Sequence, residues 1–166
     1  MSYWQLYYHV VWATKHRVPI LTPPIEETVH GMLRRKAVAL EATVFALNGP
    51  EDHIHMVVAI PPKIAVATFV GQVKAAVSTT SNKESGAMQS LYWQDAYGVF
   101  SFDRKRLPNY VAYVEKQKEH HTNGTTIPIL ERAGGDIVKA VREPFEVYEM
   151  DDEAWRRELE AFVAEG

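Results

Sequence analysis

The stretch "EDHIHMVVAIPP", residues 51–62, places His53 and His55 two apart at the head of an apolar run that Pro61 and Pro62 stop. On a β-strand successive side chains alternate between faces, so the two imidazoles share a face with Val57 and Ala59. Ile54, Met56, Val58 and Ile60 then fill the other face. Two imidazoles at this spacing can reach one divalent cation, given a further ligand and room for water or substrate. The plainer alternative is a chance His-X-His pair in which His53 closes the turn after Pro50.

A second group lies in "NYVAYVEKQKEHH", residues 109–121, where Tyr113 and Gln117 are four apart and share a helical face. Gln117 offers a carbonyl oxygen as a third ligand, and Tyr113 a phenol beside the metal. A His-His-Gln set is neutral and leaves the ion its full charge for polarising a phosphate oxygen. Tyr110 lies on roughly the same face, and periodicity does not separate it from Tyr113. Nor does it separate a nucleophile from an amphipathic tyrosine at a sheet–helix interface, or Gln117 from a solvated helix residue. His121, four past Gln117, is a candidate partner to the ligands, and His9 reads as a satisfied core histidine.

The elements that must position these residues follow from pattern. Tyr, Val and Trp in "LYYHVVWATK" predict a strand over about residues 6–15. Ile25, Val29, Met32, Leu33, Ala37 and Leu40 recur at helical spacing after two prolines. "ATVFALN" predicts a second strand, ended by Asn48-Gly49-Pro50, and the histidine strand is the third. A second helix is predicted over about residues 64–80, a loop over "SNKESGAMQS", a strand over "YGVFSF", and a helix after Pro108 stopped by Asn123-Gly124. The order β-α-β-β-α-β-α predicts an α+β fold: a ferredoxin/RRM-like antiparallel sheet, helices on one face and the other face free. Such a layout alone does not assign a function.

The 166 residues suit one domain, residues 1–133, with an appendage over 134–166. Hydrophobic residues make up 46% and charged residues 23%, the proportions of an ordinary globular protein. No apolar run reaches the length of a membrane span and no signal peptide opens the chain, so a cytoplasmic location is expected. Cysteine is absent, which excludes disulfides, thiolate metal sites and cysteine nucleophiles. The net charge of −3 divides unevenly, because residues 134–166 carry ten acids against four bases. The remainder is therefore +3, with local clusters at Lys15–Arg17, Arg34–Lys36 and Arg104–Arg106. Lys15, Arg17, Arg34, Arg35, Lys36, Arg104, Lys105 and Arg106 permit a polyanion partner, with solvated helix faces and loops as the plainer reading. Trp12, Trp93 and Tyr97 are candidates for base stacking, with core packing expected for at least two. After residue 133, Gly134-Gly135 suggests a hinge, and Trp155, Leu159 and Phe162 mark an amphipathic helix.

Four stretches in this order, "YHVVWATKHRVPIL", "PEDHIHMVVAIPP", "YWQDAYGVFSF" and "YVEKQKEHH", resemble the single-tyrosine HUH transposases. That family comprises the transposases of small insertion sequences and the transposases associated with repeated extragenic palindromes. The resemblance spans residues 7 to about 121 and does not reach the tail. It implies that His53-Ile54-His55 is the HUH motif, both histidines being metal ligands, that Tyr113 rather than Tyr110 is the nucleophile, and that Gln117 is the third ligand. It implies cleavage and rejoining of single-stranded DNA beside hairpins through a 5′-phosphotyrosine, with Mg²⁺ or Mn²⁺, no nucleotide cofactor, and usually a homodimer. Two other readings stay open: a hairpin-binding protein of the same fold without catalysis, and an unrelated HxH metal hydrolase with Asp52 or Glu51 as its acid.

Overall fold

In a computed structural model, residues 2–84, 91–134 and 153–164 are described. The chain divides into two units, Met1–Gly135 and Asp136–Gly166. The first holds β1 (Tyr7–Ala13), α1 (Pro23–Ala39), β2 (Thr43–Asn48), β3 (His53–Ala59), α2 (Val66–Glu84), β4 (Gly98–Phe102), α3 (Leu107–Glu115) and α4 (Gln117–Asn123). The second contributes the twelve-residue helix α5 (Glu153–Ala164). The hinge expected at Gly134-Gly135 runs on outside the described residues, as does the side chain of Phe162.

The β-branched and aromatic runs pair as one antiparallel sheet of order β2-β3-β1-β4, the ferredoxin-like arrangement. Its register sets Ala13 opposite His53, Val11 opposite His55 and His9 opposite Val57. The expected alternation holds: Ile54, Met56, Val58 and Ile60 pack with Val10, Trp12, Leu33, Phe69, Val70 and Val73 under α1 and α2. Trp12 and Trp93 belong to this core, their rings edge to face at 6.0 Å, and Tyr97 packs against it. All three are spent on packing rather than offered to bases. The helix predicted to end near residue 80 continues to Glu84.

The second face differs from the free surface that the pattern suggested. Tyr113 and Val114 of α3 pack on Ala46 and Val57, and Leu130 joins them. Ala133 lies against Val11 and Ala13. Every residue of β3 is consequently buried, both histidines included. The sequence period defines which residues share a face; it does not say that a later helix will return to cover it.

Two local devices shape that cover. The predicted single helix over 109–121 is broken at Lys116 (φ −95°, ψ 15°), giving α3 and α4. The Asn48 amide donates to the Glu115 carbonyl at 2.9 Å, satisfying an acceptor at the break. Gly124 then ends α4 in the left-handed conformation (φ 66°), which a residue without a Cβ adopts freely. The chain turns back as a strap with a 3₁₀ turn at Pro128–Glu131, laid across the sheet so closely that a Cβ on Gly98 would stand 1.8 Å from the Arg132 carbonyl.

A candidate metal and nucleophile centre

β3 presents His53 and His55 on the strap side of the sheet, with ring centroids 4.9 Å apart. Each is held from behind through its inner ring nitrogen. Nδ1 of His53 lies 2.6 Å from Asp52 Oδ1, and Arg17 donates to Asp52 Oδ2 at 3.3 Å. Nδ1 of His55 lies 2.9 Å from His9 Nε2. Engaging Nδ1 leaves Nε2 of each ring turned toward the strap, the arrangement that outer partners give to metal-binding histidines. Burial, reinforced by the neighbouring His55, lowers the His9 pKa to about 3, so His9 is neutral. Burial also lowers that of His55, against the opposing pull of Glu131.

Facing these rings is a residue that no sequence motif marked. Glu131 Oε2 lies 3.0 Å from His53 Nε2, 3.1 Å from His55 Nε2 and 3.2 Å from His121 Nε2. Its other oxygen accepts the hydroxyl hydrogen of Tyr113. Burial opposes the charge of Glu131, yet hydrogen bonds from His53, His55 and Tyr113 outweigh it and hold the carboxyl well below the usual carboxylate range. Tyr113 is pushed the other way, up from 10.0, by burial first and then by the Glu131 hydrogen bond, against the Ile127 N–H that donates to its oxygen at 3.0 Å.

His53, His55, Tyr113 and His121 meet here, with His9 behind His55. Tyr113 is 8% exposed, with its ring 6.2 Å from that of His55 and 5.0 Å from that of His120. Tyr110 instead stacks on Phe102 at 3.9 Å. Gln117 is fully buried at the start of α4; its amide nitrogen donates to the Tyr113 carbonyl at 3.3 Å, while its Oε1 has no partner. His121, on α4, sits in the cluster itself. His9 is the core histidine expected, though its Nδ1 is unpartnered. Neither Asp52 nor Glu51 stands on the Nε2 side; the acid there is Glu131.

The basic clusters separate. Arg17 reaches within 3.5 Å of His53 Nδ1 from a turn, Lys15–Arg17, in which His16 and Arg17 both have positive φ (58° and 52°). Arg34, Arg35 and Lys36 ride on α1, across the sheet from the histidines. Arg104, Lys105 and Arg106 form a 3₁₀ turn after β4, whose last residue pairs with Tyr7 at the strand end remote from His53, six residues or about 20 Å along.

The donor set suits a divalent cation. One atom each from His53, His55, His121 and Glu131 lies within 4.8 Å of every other, and the unpartnered Gln117 Oε1 is a buried acceptor without a hydrogen-bond donor. Imidazole nitrogens with a carboxylate are ligands for first-row divalent ions.

The model of the family described as "Transposase IS200 like" matches residues 2–117. The chain belongs to that family. The transposase of insertion sequence IS200 from Salmonella typhimurium is 27% identical over 131 residues, covering 76% of this chain and 86% of the relative. The ISDra2 transposase TnpA of Deinococcus radiodurans is 25% identical over 122 residues, covering 70% and 86%. Two solved structures share the fold with TM-scores of 0.56. One is a candidate transposase from Deinococcus radiodurans, 23% identical, covering 70% of this chain and 95% of that one. The other is a REP-associated tyrosine transposase bound to a REP hairpin, 12% identical, covering 87% and 99%. Being an IS200-like transposase, the chain is a DNA-transposing enzyme with a cluster able to hold a metal ion. Among the described residues no helix is long and apolar enough to cross a membrane.

Proposed function

We propose that this transposase cleaves and rejoins single-stranded DNA beside hairpins, with Tyr113 as nucleophile and His53, His55 and Gln117 as metal ligands. One observation carries the reading: the Tyr113 hydroxyl and the outward nitrogens of His53 and His55 meet on a single carboxylate, which supports a nucleophile beside two of the three ligands.

In the proposed reaction Tyr113 Oη gives up its proton and attacks the scissile phosphorus, the bond to the 3′ oxygen breaks, and the leaving oxygen takes up a proton. This leaves a 5′-phosphotyrosine and a free 3′ hydroxyl, and attack by a 3′ hydroxyl on the phosphotyrosine reverses it. The ester energy is retained, so joining needs no nucleotide cofactor. A bound divalent cation, Mg²⁺ or Mn²⁺, supplies charge that polarises a non-bridging phosphate oxygen. The chain supplies the remainder. α3 carries Tyr113 at a fixed place, which lowers the entropic part of the barrier. Asp52 and His9 orient the two ligand rings. Burial and the Glu131 hydrogen bond raise the pKa of Tyr113, so the phenol is protonated at rest and gives up its proton only as its oxygen attacks.

Arg17, beside the site, and Lys15 hold phosphates flanking the scissile bond in this reading. Arg34, Arg35, Lys36, Arg104, Lys105 and Arg106 contact DNA farther away, and the protein acts in the cytoplasm as a homodimer. Residues 1–133 form the catalytic domain and 134–166 an acidic extension. The test is a denaturing gel of wild-type and Tyr113→Phe protein mixed with labelled single-stranded hairpins from the flanks of its own gene, with Mn²⁺ or EDTA. A metal-dependent covalent band in the wild type alone is expected. Its absence in the wild type, with hairpins retained in a native gel, would leave a binding protein.

A further inference from the structure

We propose that Glu131 is a ligand to the same cation and, through its second oxygen, positions the Tyr113 hydroxyl, so that one carboxylate ties the nucleophile to the metal. The inference rests on the reading of the site given above and adds to it a residue outside both the HUH motif and the matched residues 2–117.

The distances carry the first half. Three nitrogens, two on β3 and one on α4, lie 3.0, 3.1 and 3.2 Å from the same oxygen, Oε2. Ligand atoms at about 2.1–2.2 Å from one ion in octahedral geometry are about 3.0–3.1 Å from their neighbours, since adjacent vertices are separated by √2 bond lengths. The hydrogen-bonded spacing around Oε2 is thus also the one that adjacent ligands around a common centre would keep. A carboxylate there also changes the charge of the set. His53, His55 and Gln117 alone are neutral; Glu131 contributes −1 and favours a hard dication such as Mn²⁺ over no ion at all.

The second half rests on how the strap is built. Leu130 is buried against α3, Ala133 against Val11 and Ala13, and the Arg132 backbone against Gly98. These contacts fix the segment on both sides of Glu131. The same strap supplies the Ile127 N–H to the Tyr113 oxygen, so two strap groups hold one hydroxyl. A residue that ligates through one oxygen and accepts the nucleophile's proton-bearing group through the other makes nucleophile placement depend on the filled site.

The test is made without DNA. Wild-type and Glu131→Gln protein, matched by melting temperature, are titrated calorimetrically with MnCl₂. One site per chain in the wild type and a weakening of tenfold or more in the variant are expected. Equal affinities overturn the proposal, and so does a wild type that binds no Mn²⁺. Should the variant fail to fold, the Mn²⁺-induced infrared difference spectrum of the wild type decides. A shifted carboxylate stretch supports ligation, and an unchanged carboxylate region overturns it. The function and this inference fail separately. A protein that forms no DNA adduct yet loses Mn²⁺ affinity in Glu131→Gln discards the function and keeps the ligand. A protein that forms the adduct and binds Mn²⁺ equally well in the variant does the reverse.

Discussion

One face of the sheet sets Val10, Trp12, Ile54, Met56 and Val58 against Leu33, Phe69, Val70 and Val73; the other sets His9, His53 and His55 against Tyr113, Gln117 and Glu131. Both faces are drawn from alternate residues of the same strands, and both are buried. The first is held by apolar area removed from water, which has no preferred direction. The second buries imidazoles, an amide and a carboxylate, each of which costs free energy unless it finds a partner. Such a face is a poor way to stabilise a fold and a good way to hold ligands in fixed directions.

The contrast breaks most sharply by substitution on each side. His55→Asn is expected to reduce covalent adduct formation about a thousandfold or more, read on the denaturing gel, while lowering the melting temperature less than a core truncation does. Phe69→Ala is that truncation: Phe69 is fully buried, and a loss of about 3–5 kcal/mol in urea unfolding is expected, with adduct yield per folded molecule unchanged. A reversal of the two patterns would mean that the faces are not specialised in this way.

Acid sharpens the comparison, because only one face titrates. His9, with its pKa lowered to about 3, is neutral when folded but takes up a proton near pH 6.5 when unfolded, and the lowered pKa of His55 acts in the same direction. Between these values the unfolded chain binds more protons, so stability is full above about pH 6.5 and falls as the pH drops. Urea unfolding from pH 7.5 to pH 4 should show a loss on the order of a few kcal/mol, and His9→Phe should flatten it. The smallest effect is expected at the strap. Gly98→Ala must push the Arg132 carbonyl away, with a cost of about 1–3 kcal/mol and weaker Mn²⁺ binding in the same titration.

The sheet and its two faces were legible because strand alternation is a local property: His53, Ile54, His55 and Met56 declare their sides by position alone. Tyr113 and Gln117 were legible as a pair through their spacing, although the helix that joins them breaks at Lys116, where a neighbouring strand caps a carbonyl. The cover over the histidines was not legible, since it depends on a chain reversal at Gly124 whose direction no periodicity encodes. Glu131 was hidden for the same reason. It stands eighteen residues after Tyr113, on a 3₁₀ turn with no amphipathic stripe, and becomes meaningful only when the strap lies down. Trp12 and Trp93 were ambiguous by type and were resolved by the core around them.

The reversal at Gly124 makes Tyr113 and Glu131 two points on one short tether. Five residues, 125–129, separate the left-handed cap from the buried Leu130. Closing so short a loop has a small entropic cost, and the local concentration of each partner around the other is correspondingly high. Should the strap lift to admit a DNA strand, the carboxylate remains on a leash anchored to the tyrosine helix. Its return is then a unimolecular event, independent of how dilute the protein is, and the site resets after each strand has left.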